Sequence, residues 1–124
     1  MQPELGRFLE NRPRDVVSLV NVLRDLVSGL GSDTSEAIEG RALVFGRGDA
    51  TGRGFLRATP LETGVMLSFP AGHLVFDPEK RAKGLRGAET RLSLATTHDL
   101  DPYVRRMISA AYALEAPSYD EFFR

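Results

Sequence analysis

The strongest pattern in the chain is a helical stripe. Val16, Leu19, Val20, Leu23, Leu26, Val27 and Leu30 recur at i, i+3, i+4 and i+7 spacing, which places them on one face of a helix. Val17 and Val22 widen that face, so the helix is predicted to be heavily covered. Before it, Leu5, Phe8 and Leu9 share a face of a shorter helix, and Pro13 sits where a first-turn proline is tolerated. Gly29 and Gly31 end the long helix. Asp33 with Glu36 three residues on reads as an N-terminal cap, predicting a short helix through Ala37 and Ile38 that Gly40 closes.

From Arg41 the period changes to two. Leu43-Val44-Phe45, Gly54 to Thr59 and Gly64 to Phe69 read as strands. Gly46 to Arg53 is a glycine-rich, polar hairpin loop, and Pro60 to Gly64 is a tighter link. Leu74-Val75-Phe76 forms a further unit that stops at Asp77-Pro78. Residues 79–89 make a basic connection, and Arg91 to Ala95 alternates as a last strand. Asp101-Pro102 is a cap and first-turn pair opening a helix whose inward face carries Val104, Met107, Ile108, Ala111, Tyr112 and Leu114, and Pro117 stops any continuation.

Helices, then strands joined by links too short for crossover helices, then a helix, predict an α+β fold. Its antiparallel sheet has about four or five strands, packed on one face by the N- and C-terminal helices. The expected organisation is a single domain over residues 1–124. Helices occupy 1–31, a short helix and the sheet 32–97, the last helix 98–116 and a tail 117–124.

Composition narrows the chemistry. A chain of 124 residues with 42% hydrophobic and 27% charged residues fits one soluble domain. No stretch is apolar enough to span a bilayer, and the N-terminus lacks the pattern of a secretory signal, so a cytoplasmic location is expected. The absence of cysteine excludes disulfides, thiolate nucleophiles, cysteine-ligated zinc and iron–sulfur clusters. The segment Gly46 to Gly54 resembles a phosphate loop only in its glycines: it lacks the terminal Gly-Lys-Ser/Thr and enters a strand rather than a helix. Its Arg47-Gly48-Asp49 tripeptide is read as coincidence. His73, with Asp77 four residues on, and His98 beside Asp99 lack the further ligands a metal needs. No catalytic residue, metal ligand or cofactor site is assigned on these patterns, and Ser68, Ser93 and Thr97 lack a nucleophile-elbow context.

Charge is unevenly distributed. The formal net charge is −1, with 16 basic against 17 acidic residues. Residues 41–91 hold nine basic and five acidic residues, a net +4, which leaves −5 elsewhere. Lys80, Arg81, Lys83, Arg86 and Arg91, with His73, are the candidate ligand-binding residues, because clustered cations release counterions on meeting phosphates. The competing reading is a solvated connection, since no aromatics are interleaved for stacking. The tail concentrates Tyr119, Phe122 and Phe123, which are expected to dock on the core or on a homodimer or protein partner.

Several strings taken together resemble the YdhG-like group of small bacterial domains of unknown function, including relatives found beside endonuclease modules. They are Ser35-Glu36-Ala37-Ile38, Gly64 to Phe69, Asp77-Pro78 followed by Gly84-Leu85, Arg91-Leu92, Asp99-Leu100-Asp101 and Ala110-Ala111-Tyr112. The chain differs from that group in having no tryptophan and no proline after the short helix. The resemblance implies an α+β domain with helices against an antiparallel sheet and supplies no catalytic residues. Three expectations follow. The first is a non-enzymatic domain binding an anionic ligand, nucleic acid or a protein through a basic sheet-side surface. The second is a frataxin-like iron chaperone using Asp15, Asp25, Asp33, Glu36 or Glu39, whose hard oxygens suit labile iron. The third is an enzyme using His73 and Asp77.

Overall fold

A computed structural model describes residues 3–48, 54–84 and 89–114. The chain is α+β, with helices α1 (Pro3–Leu9), α2 (Arg14–Ser28) and α3 (Pro102–Leu114) and strands β1 (Thr34–Glu39), β2 (Ala42–Arg47), β3 (Leu56–Leu61), β4 (Gly64–Phe69), β5 (Lys83–Gly84) and β6 (Thr90–Leu94). The strands form one antiparallel sheet in the order β1-β2-β3-β4-β6-β5. No helix among the described residues is long and apolar enough to cross a membrane.

The stripe read from the sequence buries α2 through Val16, Leu19, Val20, Leu23 and Val27. Pro13 precedes the first turn with φ −56, and Gly29 closes the last by donating its N–H to the Asp25 carbonyl at 3.1 Å. In α3, Asp101 Oδ1 accepts the Val104 N–H at 2.9 Å, the cap expected of an Asp-Pro start. Val104, Met107, Ile108 and Ala111 then face inward.

Register assigns every strand residue to one of two sheet faces. Ile38, Leu43, Ala58, Leu67 and Leu92 stand opposite one another across five strands. With Phe45, Leu56, Val65, Phe69 and Leu94 they make the face on which α2 and α3 pack in one core. Pro60 fits because β2 pairs with β3 only over Leu43 to Phe45, so the proline lies beyond the last pair and removes no bond from that ladder.

Two expected elements differ. Residues 34–39, read as a capped helix, are the edge strand β1. Gly40 (φ 61) and Arg41 turn the chain into β2 over six register pairs. Asp33 and Glu36, read as a helix start, instead meet cations from distant elements: Arg47 Nε to Asp33 Oδ2 at 2.8 Å and Arg24 Nη2 to Glu36 Oε1 at 2.6 Å. Leu74-Val75-Phe76, read as a strand, has no ladder partner. A 3₁₀ turn over Gly72–Leu74 leads into an extended Val75, and of the three only Val75 is buried. The sheet has six strands rather than four or five, because β1 and the two-residue β5 join it.

Candidate anion-binding face

Strand alternation sends the polar set to the face opposite the helices. Arg57 on β3 stands opposite Ser68 on β4, Ser68 opposite Arg91 on β6, and Arg91 opposite Lys83 on β5. Three cations and a hydroxyl therefore occupy one row perpendicular to the strands. At about 4.8 Å between neighbouring strands the row spans about 14 Å. Thr59, Met66 and Ser93 belong to the next row of the same face. The β2 end of this face is closed, with Ala42 and Val44 buried, whereas Lys83, Arg91 and Ser93 are exposed. Ser68, only 4% exposed, lies between the two arginines of the row.

The counter-charges do not match the row. Arg57 Nη1 reaches Glu39 Oε2 at 3.5 Å, and Arg91 Nη2 is 3.9 Å from Glu89 Oε2, a loose contact. Lys83 has no acidic partner among the described residues. Directly opposed like charges on neighbouring strands cost stability. Lys83 and Arg91 are such an in-register pair, both exposed, with Glu89 the one carboxylate within 4 Å of Arg91 among the described residues.

The other candidate residues divide. Lys80 is exposed in a turn with φ 52. Arg81 is exposed and engaged within the protein: its guanidinium bonds Asp101 at 2.8 Å and Glu79 at 3.3 Å and lies 4.1 Å over the Tyr103 ring. His73 is exposed in the 3₁₀ turn. Arg86, the loop 49–53 and Tyr119, Phe122 and Phe123 lie outside the described residues. Arg57 enters the site although the sequence singled it out only as one of nine charges.

The acidic residues serve structure. Asp77 accepts the Tyr103 hydroxyl and the N–H groups of Arg81 at 3.1 Å and Ala82 at 3.0 Å. None of the hydrogen bonds among the described residues joins Asp77 to His73 as a catalytic pair needs. Asp33 accepts from Tyr112 and Arg47, and the Arg47 guanidinium lies 4.0 Å over the Tyr112 ring. The two ends of α3 are thus each tied to a loop by an Asp–Tyr–Arg cluster. Among the described residues no three His, Asp or Glu side chains cluster as a metal site. Asp33, Glu36 and Glu39, named in the iron-binding reading, are beside β1 or in it, each matched to an arginine. Asp15 and Asp25 stand about 15 Å apart along α2.

A cleft of about 410 Å³ opens at the end of β6, lined by Leu61, Leu92, Leu94, Val104, Arg81 and Asp101 among others. Its charged groups already have partners within the protein: Asp101 holds Arg81 and the α3 N-terminus, and Asp99 Oδ2 accepts the backbone N–H groups of Ala95 and Thr96. In the outer row, by contrast, Lys83 has no carboxylate within salt-bridge distance among the described residues.

The clusters shift the titration of their own carboxyl and phenol groups. The Tyr112 hydroxyl and then Arg47 hold Asp33 below the usual carboxylate range. For Asp77, burial works upward, but the Tyr103 hydroxyl and the two N–H groups prevail and lower it. The Val104 N–H and Arg81 lower Asp101. The bond to Asp33 raises Tyr112, and burial followed by the bond to Asp77 raises Tyr103. A lowered carboxyl contributes stability that is present above its unfolded pKa of about 4 and lost as pH falls through the folded one; a raised phenol contributes stability present below about 10 and lost as pH rises through the folded one. Thermal melts are expected to be flat between these limits and to fall on both sides. The Tyr103→Phe/Tyr112→Phe double variant is expected to lose most of the alkaline fall, and an unchanged alkaline limb would refute the tyrosine assignment.

No family model, curated protein or solved structure matches the chain, so the reading of this face rests on its own geometry.

Proposed function

We propose that the chain is a cytoplasmic, non-enzymatic binding domain of the YdhG-like kind that takes a phosphate-bearing anionic ligand on the outer face of its sheet. The observation that supports this most is the in-register pair Lys83–Arg91, extended through Ser68 to Arg57. An anion seated on this row removes the repulsion between two opposed cations and accepts charge-assisted hydrogen bonds from the Arg91 guanidinium. Arg81 belongs to the scaffold in this reading, since Asp101 and Glu79 already neutralise it.

The test uses a fluorescently labelled duplex oligonucleotide, with inorganic polyphosphate as competitor. Affinity is expected to fall with salt, with a log–log slope of about −2 to −3 for three contacts. Lys83→Ala with Arg91→Ala is expected to flatten that slope to about −1 or less. Competition by polyphosphate assigns the interaction to phosphate groups. Binding that ignores salt and survives the double substitution overturns the reading, as does the absence of binding to both probes at low salt.

A further inference from the structure

The two most exposed large apolar side chains among the described residues flank a buried one: Leu74 is 60% and Phe76 79% exposed, and Val75 between them is in the core. The extended backbone at Val75 (φ −81, ψ 127) turns the flanking pair outward. Hydrogen bonds hold the pair in place. Asp77, directly after Phe76, accepts the Lys80 N–H on its carbonyl at 3.0 Å and the N–H groups of Arg81 and Ala82 on its carboxylate. The Tyr103 hydroxyl of α3 donates to the same carboxylate. An anchored aromatic ring therefore projects on the helix side of the sheet, near the start of α3.

The cleft at the end of β6 opens at that same end of α3. Leu61, Leu92, Leu94 and Val104 give it an apolar lining, bordered by Arg81 and Asp101. Arg81 links the two features, since its backbone N–H bonds Asp77 beside the ring and its guanidinium bonds Asp101 in the cleft. At about 410 Å³ the cleft has room for an aromatic side chain, because a cavity of about 150 Å³ is enough to hold benzene. Phe76 does not fill it in its own chain, being 79% exposed. Charge follows the same division. Lys80, exposed in the turn after Phe76, has no ion pair among the described residues, and Glu79 beside it is taken by Arg81. At the cleft, Asp99 and Glu62 are exposed and have no cation partner among the described residues; Glu62 stands between the lining residues Leu61 and Thr63.

We propose that Phe76 and this cleft are the two halves of a contact between copies of the chain, each copy placing its Phe76 in the cleft of the other about a two-fold axis. Ring and socket belong to one chain and one side of it, so a two-fold satisfies both at once, as self-complementary interfaces do. A foreign partner would have to supply both a ring for the cleft and an apolar site for Phe76. The arrangement also brings the uncompensated Lys80 of each copy toward the acidic mouth of the other's cleft, which favours this pairing over others. Leu74 and Phe76 together expose about 250 Å². Matched by the socket and repeated by the two-fold, this gives about 1,000 Å² of buried surface, the lower bound for a specific interface and the range of a weak, reversible dimer. The contact is independent of the outer-face row, which lies across the sheet.

Sedimentation equilibrium of the full chain across the micromolar range tests this. The native protein is expected to pass from monomer to dimer as concentration rises. Phe76→Ala is expected to raise the dimer dissociation constant about tenfold or more. Its side chain being exposed, that variant is expected to melt like the native protein at low concentration. Lys80→Glu and Glu62→Lys are each expected to weaken association about threefold, and the two together to regain native affinity. A chain that stays monomeric throughout the range overturns the inference, as does a dimer that Phe76→Ala leaves unchanged. A double variant no tighter than either single one overturns the assignment of the cleft as the socket.

Discussion

Gly64→Ala is expected to destabilise the fold by about 3 kcal/mol, the upper end of the overpacking range and a large part of a small domain's total stability. Gly64 opens β4 immediately after the Glu62-Thr63 turn and is buried. A Cβ there would lie 2.1 Å from the Leu94 carbonyl oxygen on β6 and 3.3 Å from the Ala95 Cα. Both obstacles are backbone, so relief requires moving β4 away from β6 at the register pair Val65–Leu94, beside the cleft. Gly40→Ala is the control. A Cβ at Gly40 meets nothing within 4 Å, and the cost there is the left-handed φ of 61 alone, about 1 kcal/mol. Urea denaturation of the two variants checks the difference. Equal losses would show that turn conformation, rather than close approach of β4 and β6, determines the glycine at position 64.

That contrast shows which parts of the fold could be read along the chain. The α2 stripe, the Asp101-Pro102 start of α3 and the β3–β4 hairpin depend on neighbours within a few residues, and they form where the pattern places them. Gly64 was legible as a turn residue, but its decisive neighbour is Leu94, thirty positions away. The segment 33–39 misleads for the same reason. Its Asp33-x-x-Glu36 spacing satisfies the local rule for a helix start, while the carboxylates find Arg24, Arg47 and Tyr112 through tertiary contacts. Pairing with Ala42–Arg47 then settles the strand. Leu74-Val75-Phe76 has strand-forming residues but no neighbouring strand, and β propensity without a partner forms no ladder.

The candidate site was legible in its charge and illegible in its geometry. Counting showed the excess of cations between residues 41 and 91, and it brought forward Lys83 and Arg91. It also brought forward Arg81, whose charge is cancelled by Asp101 twenty residues later. Arg57 could have been found from its own strand: Leu56 and Ala58 on either side point into the core, so alternation places Arg57 on the other face. What alternation cannot supply is the order of strands, and the row exists only because β6 inserts between β4 and β5.

Lys83→Glu is expected to separate binding from stability in opposite directions. The substitution places a carboxylate opposite Arg91 on the neighbouring strand, turning a repulsive cross-strand pair into an attractive one, worth about 0.5 kcal/mol of added stability at an exposed site. No ion pair among the described residues is lost in exchange, since Lys83 has none. The same change removes two cations from the ligand, Lys83 directly and Arg91 by pairing. The salt slope of oligonucleotide binding is expected to shrink by about 1.5, with affinity at low salt reduced roughly tenfold or more. A purely solvated connection predicts the stability gain with no change in binding. A rigid structural role for Lys83 predicts a loss of stability instead. Melting curves and salt-dependent anisotropy on one variant therefore discriminate all three, and gained stability with lost affinity identifies a charge arrangement kept for a ligand at a cost to the free protein.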